Sequence, residues 1–152
     1  AYGGRIERSG ELIERVLGGT RAGDGVWELR GQNRGGTIAF DAPPEARGVP
    51  GAGTVHHVAW GSSVEEHPRW LDELAGQGVN STPVVDRHFF KSIYFREPGG
   101  VLYEIADDGP GFGPDEELGR RIVLPPWYES QRADIESRLT PIPDPRASWR
   151  TS

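Results

Sequence analysis

Hydrophobic and polar positions change period several times along the chain, and each change marks an element. Ala1 to Glu7 has room for a short strand, weakened by Gly3 and Gly4. Leu12, Ile13, Val16 and Leu17 then recur at helical spacing behind Ser9, a candidate N-cap, until Gly18-Gly19 stops the helix. Val26 to Arg30 and Thr37 to Phe40 read as strands joined by the polar turn Gly31 to Gly36, and Ala42-Pro43-Pro44 through Gly53 predicts a linker. A second round opens at Thr54, with a strand to Trp60. Ser62 or Ser63 can cap the next helix, whose apolar stripe is Val64, Trp70, Leu71 and Leu74, ending at Gly76 and Gly78. Pro83-Val84-Val85 begins another strand. The clearest pattern follows: Ser92 to Arg96 and Val101 to Ala106 alternate around Glu97-Pro98-Gly99-Gly100, which predicts a β-hairpin with a four-residue loop.

Both rounds spell β-α-β-β-β, and Gly35-Gly36 matches Gly99-Gly100, so the chain carries an internal duplication. The predicted fold class is α+β. Two β-α-β-β-β modules form a curled, cup-shaped mixed sheet with helices outside and a pocket inside. Residues 1–50 make the first module and 51–108 the second, within one structural domain. Residues 109–152 add a loop, the apolar piece Ile122-Val123-Leu124, and a helix starting at Pro125-Pro126. Trp127, Ile135 and Leu139 would be that helix's stripe, and a surface tail runs from Thr140. Open sheet edges in such a cup predict pairing of chains, a homodimer. Aligning the two Gly-Gly pairs sets Phe40 against Glu104, so one special site is expected per pair of modules.

Composition narrows the function classes. With 152 residues, 35% hydrophobic and 26% charged, the chain reads as a single soluble globular domain. A net charge of −6 without a basic patch argues against nucleic-acid binding. The lack of cysteine excludes disulfides, zinc fingers and thiol catalysis. No apolar run is long enough to span a membrane and no signal-peptide core opens the chain, which predicts a cytoplasmic protein without membrane partners. Methionine is absent altogether and the chain opens abruptly at Ala1-Tyr2-Gly3-Gly4. Processing or trimming is one reading, a piece of a longer polypeptide the other.

The candidate chemistry starts from Glu104, a carboxylate in the middle of the apolar strand Val101 to Ala106. Burying it is costly unless a base or a metal neutralises it; otherwise it points to water. Thr54-Val55-His56-His57-Val58-Ala59-Trp60 places two histidines in a strand, where neighbours face opposite ways and cannot jointly grip one ion. His56 shares its face with the packing residues Val58 and Trp60. His57 shares its face with the smaller Val55 and Ala59, which suit a pocket floor. If the sheet curls, His57 and Glu104 both face inward, a donor pair suited to Fe(II), Mn(II), Ni(II) or Zn(II), although a strand histidine taken alone is more often structural. Tyr94, on the facing arm of the hairpin, is either a hydrogen-bond donor to a substrate hydroxyl or a β-forming aromatic. His88 is either an acid–base group or an exposed loop histidine. His67, after Glu65-Glu66 at a helix start, is expected to be solvated. Trp127 and Tyr128 are core residues or a pocket wall.

Paired β-α-β-β-β modules, the strand His56-His57-Val58-Ala59 and the hairpin from Tyr94 to Glu104 together resemble the vicinal oxygen chelate superfamily, which includes glyoxalase I, bleomycin-resistance proteins and extradiol dioxygenases. The runs 83–87 and 92–100, Gly109-Pro110-Gly111-Phe112 and Leu124-Pro125-Pro126 are similar to the glyoxalase-like dioxygenases that open hydroquinones and catechols. The resemblance is detailed over about residues 50 to 140 and holds in outline before that. It implies that His57 and Glu104 are two of three protein ligands in a 2-His-1-carboxylate triad holding Fe(II). It also implies that Tyr94 contacts the substrate, a small dihydroxylated aromatic cleaved with O2 by an oxidoreductase, and it leaves His88 as a further catalytic candidate. Two other activities share the fold. One is sequestering of a small planar molecule in the manner of bleomycin resistance. The other is a glyoxalase-type isomerase, which needs a second glutamate where the first module offers Phe40. The remaining histidine ligand should come from the first strand, yet Ala1 to Ile6 has none, and family spacing puts it just ahead of Ala1. A partner subunit, an N-terminal bimodule or other absent sequence would then supply it. The extradiol enzymes' additional acid–base histidine also has no counterpart, since Ala42-Pro43-Pro44 fills its region.

Overall fold

Helix α1 (Ile6–Arg15) exists because Leu12, Ile13 and, just past its end, Val16 bury one side against the first sheet. It begins earlier than the sequence pattern predicts. Ser9 is not its cap but an interior residue, fully buried, with its hydroxyl donating to the carbonyl of Arg5 at 3.1 Å. Gly10 explains the close packing, since a Cβ there would overlap the indole of Trp27. In this computed structural model, residues 1–46, 48–49, 51, 53–111 and 122–140 are described.

The first sheet is antiparallel, in the order β1 (Thr20–Gly23), β2 (Val26–Arg30), β3 (Gly35–Ala39). The predicted strand over residues 1–7 shrinks to one parallel bridge, Tyr2 to Asp41, because Gly3, Gly4 and the early helix leave no length for a ladder. Strand β1 has no apolar alternation and every residue of it is exposed, so the sequence pattern passes over it. The second sheet runs β4 (Val58–Gly61), β7 (Leu102–Ala106), β6 (Lys91–Arg96), β5 (Val85–Asp86), with β4 parallel to β7 and the other pairs antiparallel. Each sheet therefore has its module's last strand beside the initial segment, and the duplication read from the sequence is present in the topology.

One correction follows from register. In the first module Trp27 pairs with Ile38, both buried beneath α1, and Phe40 lies on that same side, edge-on to Trp27 at 5.9 Å. In the second, Tyr103 and Ile105 are the corresponding buried residues, and Glu104 points the other way. Ala39, not Phe40, thus occupies the place of Glu104. The main-chain bonds agree, with Gly3 N–H donating to Asp41 O as Ser62 N–H donates to Ala106 O. The Gly-Gly alignment was one residue out because the two hairpin loops differ in length.

A 3-10 turn at Val64–Glu66 leads into α2 (His67–Gly76). The Glu66 carboxylate accepts from the Ser63 N–H and the Ser62 hydroxyl, so both predicted capping serines take part. Gly78, at φ +70°, ends the turn beyond it. The predicted strand over Thr54 to Trp60 begins only at Val58, since the segment ahead of it turns at Gly51 and Thr54. Pro83 interrupts pairing beside β6: Ser81 bridges Phe95 and Thr82 N–H reaches Tyr94 O, but the ladder resumes only at Val85. After the described gap, a 3-10 turn at Pro126–Gln131 precedes α3 (Arg132–Arg138). Trp127 and Leu139 are about half exposed, so the predicted stripe there is not a core face. The predicted tail beyond Thr140 lies outside the described residues, as does the end of the loop that follows Gly109. Among the described residues, no helix is long and apolar enough to cross a membrane. One core cluster joins Ile13, Trp27 and Phe40 of the first module to Leu74, Ile93 and Tyr103 of the second.

Candidate active site

Strand β7 sits between β4 and β6, and the register sets Ala59 on one side of Glu104 and Tyr94 on the other. Paired residues of neighbouring strands share a face, so the small Ala59 leaves space beside the carboxylate. His57 lies immediately ahead of β4, and its Nε2 stands 2.8 Å from Glu104 Oε2. Glu104 is only 3% exposed, whereas His57 is half-buried at the rim. The second carboxylate oxygen, Oε1, is buried without a hydrogen-bond partner among the described residues. A buried acceptor left unsatisfied costs about 1–3 kcal/mol, which a purely structural site would not retain without reason.

Sequence reasoning misjudged His56. Because the ladder starts at Val58, strand alternation does not govern residues 56 and 57. The two imidazoles meet edge-on at 5.2 Å, with Nδ1 to Nδ1 at 3.0 Å. His56 is exposed rather than packed with Val58 and Trp60. When His57 Nε2 donates to Glu104, a neutral His57 accepts at Nδ1, and His56 must be the donor; if Nε2 instead gives its lone pair to another group, the roles reverse. The tautomers of His56 and His57 are therefore coupled through this contact.

The Tyr94 ring stands edge-on to His57 at 6.1 Å. Above it lies the guanidinium of Arg87, 5.0 Å from the ring centre. Arg87 makes no ion pair among the described residues. It was missed, although a signal existed: Val85 pairs with Ser92, so Arg87, two residues on, carries the parity of Ser92 and Tyr94. His88 is placed differently. It adopts φ +72°, its N–H donates to Asp86 Oδ1 at 2.7 Å, and its ring rests against Phe89 and Trp127. The structure brings together His57, Glu104 and Tyr94, and leaves the His88 ring among other aromatics. Trp127 and Tyr128, both about half exposed, extend that outer aromatic wall.

His67 departs furthest from expectation. It is 1% exposed, and neither ring nitrogen has a hydrogen-bond partner among the described residues. Its position explains this: with Trp70, Leu71 and Leu74 it completes the i, i+3, i+4, i+7 stripe that α2 turns inward.

The comparisons with known proteins agree with the topology. Residues 2–105 match the family described as the Glyoxalase/Bleomycin resistance protein/Dioxygenase superfamily. Over 143 residues the chain is 40% identical to a protein of Bacillus subtilis (strain 168) named as the ring-cleaving dioxygenase MhqO, covering 90% of this chain and 46% of that protein. A crystal structure named as a dioxygenase from Bacillus subtilis subsp. subtilis str. 168 superposes with a TM-score of 0.79 at 38% identity, over 93% of this chain and 48% of that one. A chlorohydroquinone/hydroquinone 1,2-dioxygenase of Sphingobium indicum is 34% identical over 91 residues, 56% of this chain and 28% of that protein. The chain thus spans about half the length, or less, of these relatives.

Proposed function

Because this chain belongs to the glyoxalase/bleomycin resistance protein/dioxygenase superfamily, we propose that it is part of a metal-dependent dioxygenase that opens the ring of a small dihydroxylated aromatic, a hydroquinone or a catechol, with O2. The observation that carries the reading is the His57–Glu104 pair, 2.8 Å apart with a buried, unpartnered carboxylate oxygen beside Tyr94.

The donor set suits a divalent metal. One imidazole nitrogen and one carboxylate are the mixed, borderline-to-hard ligands that Fe(II) accepts, and Mn(II), Ni(II) or Zn(II) would also bind. Among the described residues no group of three histidines or carboxylates is assembled, so a third protein ligand would come from outside them, in this polypeptide or a partner subunit. A bound Fe(II) would supply the redox centre at which an electron-rich ring and O2 react. The chain's own residues would do the rest. Glu104 and His57 would hold the ion, with His57 then donating a hydrogen bond from its Nδ1–H to His56 Nδ1. Tyr94 would orient the ring by a hydrogen bond to a substrate oxygen, and Arg87 would favour that oxygen's anionic form. His88 remains a candidate only through its position beside Arg87. Pairing of two copies is part of the proposal.

Oxygen uptake with hydroquinone or catechol, with and without added Fe(II), tests the activity. Metal analysis of the wild type beside Glu104→Ala tests the site. Uptake that requires Fe(II), and metal lost in the variant, are the expected results. Equal metal in both proteins sinks the ligand assignment. Tight binding of the aromatic without turnover at any metal loading would replace this reading with the sequestering one.

A further inference from the structure

A second concave site lies where the two modules meet, and it shares no lining residue with the His57–Glu104 site. It is a cleft of about 440 Å³ walled by Arg8, Glu11 and Leu12 of α1, by residues 77–80 after α2, and by Arg96 and Pro98 of the β6–β7 hairpin. We propose that it binds a small organic anion, a carboxylate or phosphate monoester with an apolar body, and that the bound anion clamps the modules together.

Charge is the first argument. The guanidiniums of Arg21, Arg30, Arg69, Arg132 and Arg138 each meet a carboxylate. Arg5, Arg8, Arg15, Arg34, Arg87 and Arg96 meet none among the described residues, in a chain whose net charge of −6 offers acids in excess, and of these Arg8 and Arg96 share one cleft. Arg96 is held by one main-chain carbonyl, donating from Nη1 to Gly100 O at 2.9 Å, which positions the group without neutralising it. Glu11 is the acid of the cleft, and it pairs with neither arginine. The nearby Glu97 is already consumed: its carboxylate accepts from the N–H groups of Gly99 at 2.8 Å and Val101 at 2.7 Å. Guanidinium is the group best shaped to hold a carboxylate or phosphate by paired hydrogen bonds.

Shape is the second argument. Leu12, Val79 and Pro98 give the cleft apolar surface, and Gln77 and Asn80 add amide side chains, so the occupant has an apolar body as well as a charge. Its walls are fixed in advance. The turn after α2 is locked by Gly78 N–H to Ala75 O and Val79 N–H to Leu74 O, both at 2.9 Å. The hairpin loop is seated on α1 so closely that a Cβ on Gly99 would stand 3.0 Å from Ser9 Oγ and 2.7 Å from Glu97 Oε1. A preformed cleft spends little of its binding energy on ordering.

The test uses the intact chain, with benzoate and phenyl phosphate as anions and benzamide as the neutral counterpart of benzoate, all at one ionic strength. Calorimetric titration should show saturable binding of at least one anion, and that anion should raise the thermal midpoint with concentration. Which anion binds more tightly distinguishes the carboxylate from the phosphate ester. Arg8→Gln and Arg96→Gln should each weaken binding tenfold or more. Both arginines are exposed, and the ligand-free midpoint of each variant checks its fold. Glu104→Gln should leave the affinity unchanged. Equal binding of benzamide, wild-type affinity in both arginine variants, or loss of binding in Glu104→Gln would each overturn the proposal, the last by moving the anion to the metal site.

Discussion

Replacing Glu104 with leucine should make the protein more stable while abolishing the metal binding proposed for it. The carboxylate is 3% exposed with one oxygen unpartnered, so its removal relieves a desolvation penalty of about 1–3 kcal/mol. Leucine fills nearly the same volume and suits a strand between Ala59 and Tyr94. Against this stands the lost hydrogen bond to His57, worth about 1.5–3 kcal/mol where fully buried. His57 keeps 32% of its side-chain surface exposed, however, so its freed nitrogen turns to water and the loss falls to or below the lower bound. The net gain is about 1 kcal/mol, or about 2–4 °C in the midpoint for a chain of this size. Calorimetry in the presence of a chelator measures it. Titrating metal afterwards should raise the wild-type midpoint and leave Glu104→Leu unmoved. A midpoint several degrees below wild type in chelator would refute the reasoning, because Glu104 would then be holding the sheet together.

Three shorter predictions follow from other contacts. Tyr94→Phe keeps the ring beside His57 and removes one hydroxyl, so turnover of a dihydroxylated aromatic should fall by roughly one to two decades with the midpoint unchanged; intact turnover with a lowered midpoint would make Tyr94 a packing residue. Gly10→Ala improves helix propensity by about 1 kcal/mol, but its Cβ meets an indole pinned by the bond from Trp27 Nε1 to Glu14 and by Phe40. Overpacking of about 1–3 kcal/mol should win and lower the midpoint, and a rise measured by circular dichroism would show that the indole can move. The Glu66 carboxyl is held below its usual range by the Arg69 guanidinium first, then by the Ser62 hydroxyl and the Ser63 N–H. A depressed folded value stabilises above the unfolded carboxylate pKa and loses that contribution as pH falls through the folded one. The stability gap between wild type and Glu66→Gln should therefore close on acidification, and an equal gap at neutral and strongly acid pH would discount the cap.

Alternation and glycine placement carried the fold. The hairpin around Glu97 to Gly100, the two capping serines and the repeat of element order were all legible, because each rests on local backbone preference. The same reasoning missed β1, whose exposed residues leave no apolar trace, and placed Phe40 one residue out, because strand parity depends on loop length that glycine pairs do not fix. Within the candidate site, His57 and Glu104 were visible as polar groups on an otherwise apolar face. The alternation read for His56 fails because the strand begins at Val58, four residues later than its apolar pattern suggests, and Arg87 carries no apolar or metal-ligand signal of its own. The burial of His67 is masked by the charged Glu65-Glu66 ahead of it, although its spacing to Leu71 and Leu74 places it inward.

The order of the second sheet has a consequence during synthesis. Strand β7 is the last of its module to be made, yet it lies between β4 and β6, so β4 has no partner in this sheet until β7 arrives. Emerging at roughly 5–20 residues per second, the chain exposes His56 and His57 for some seconds before Glu104 exists. Insertion of β7 creates the parallel pairing, buries the carboxylate and brings Glu104 beside His57 in one event. The His57–Glu104 contact is consequently an indicator of completed folding in its own module, and any variant that delays β7 leaves an unpaired β4 edge open to association with other chains.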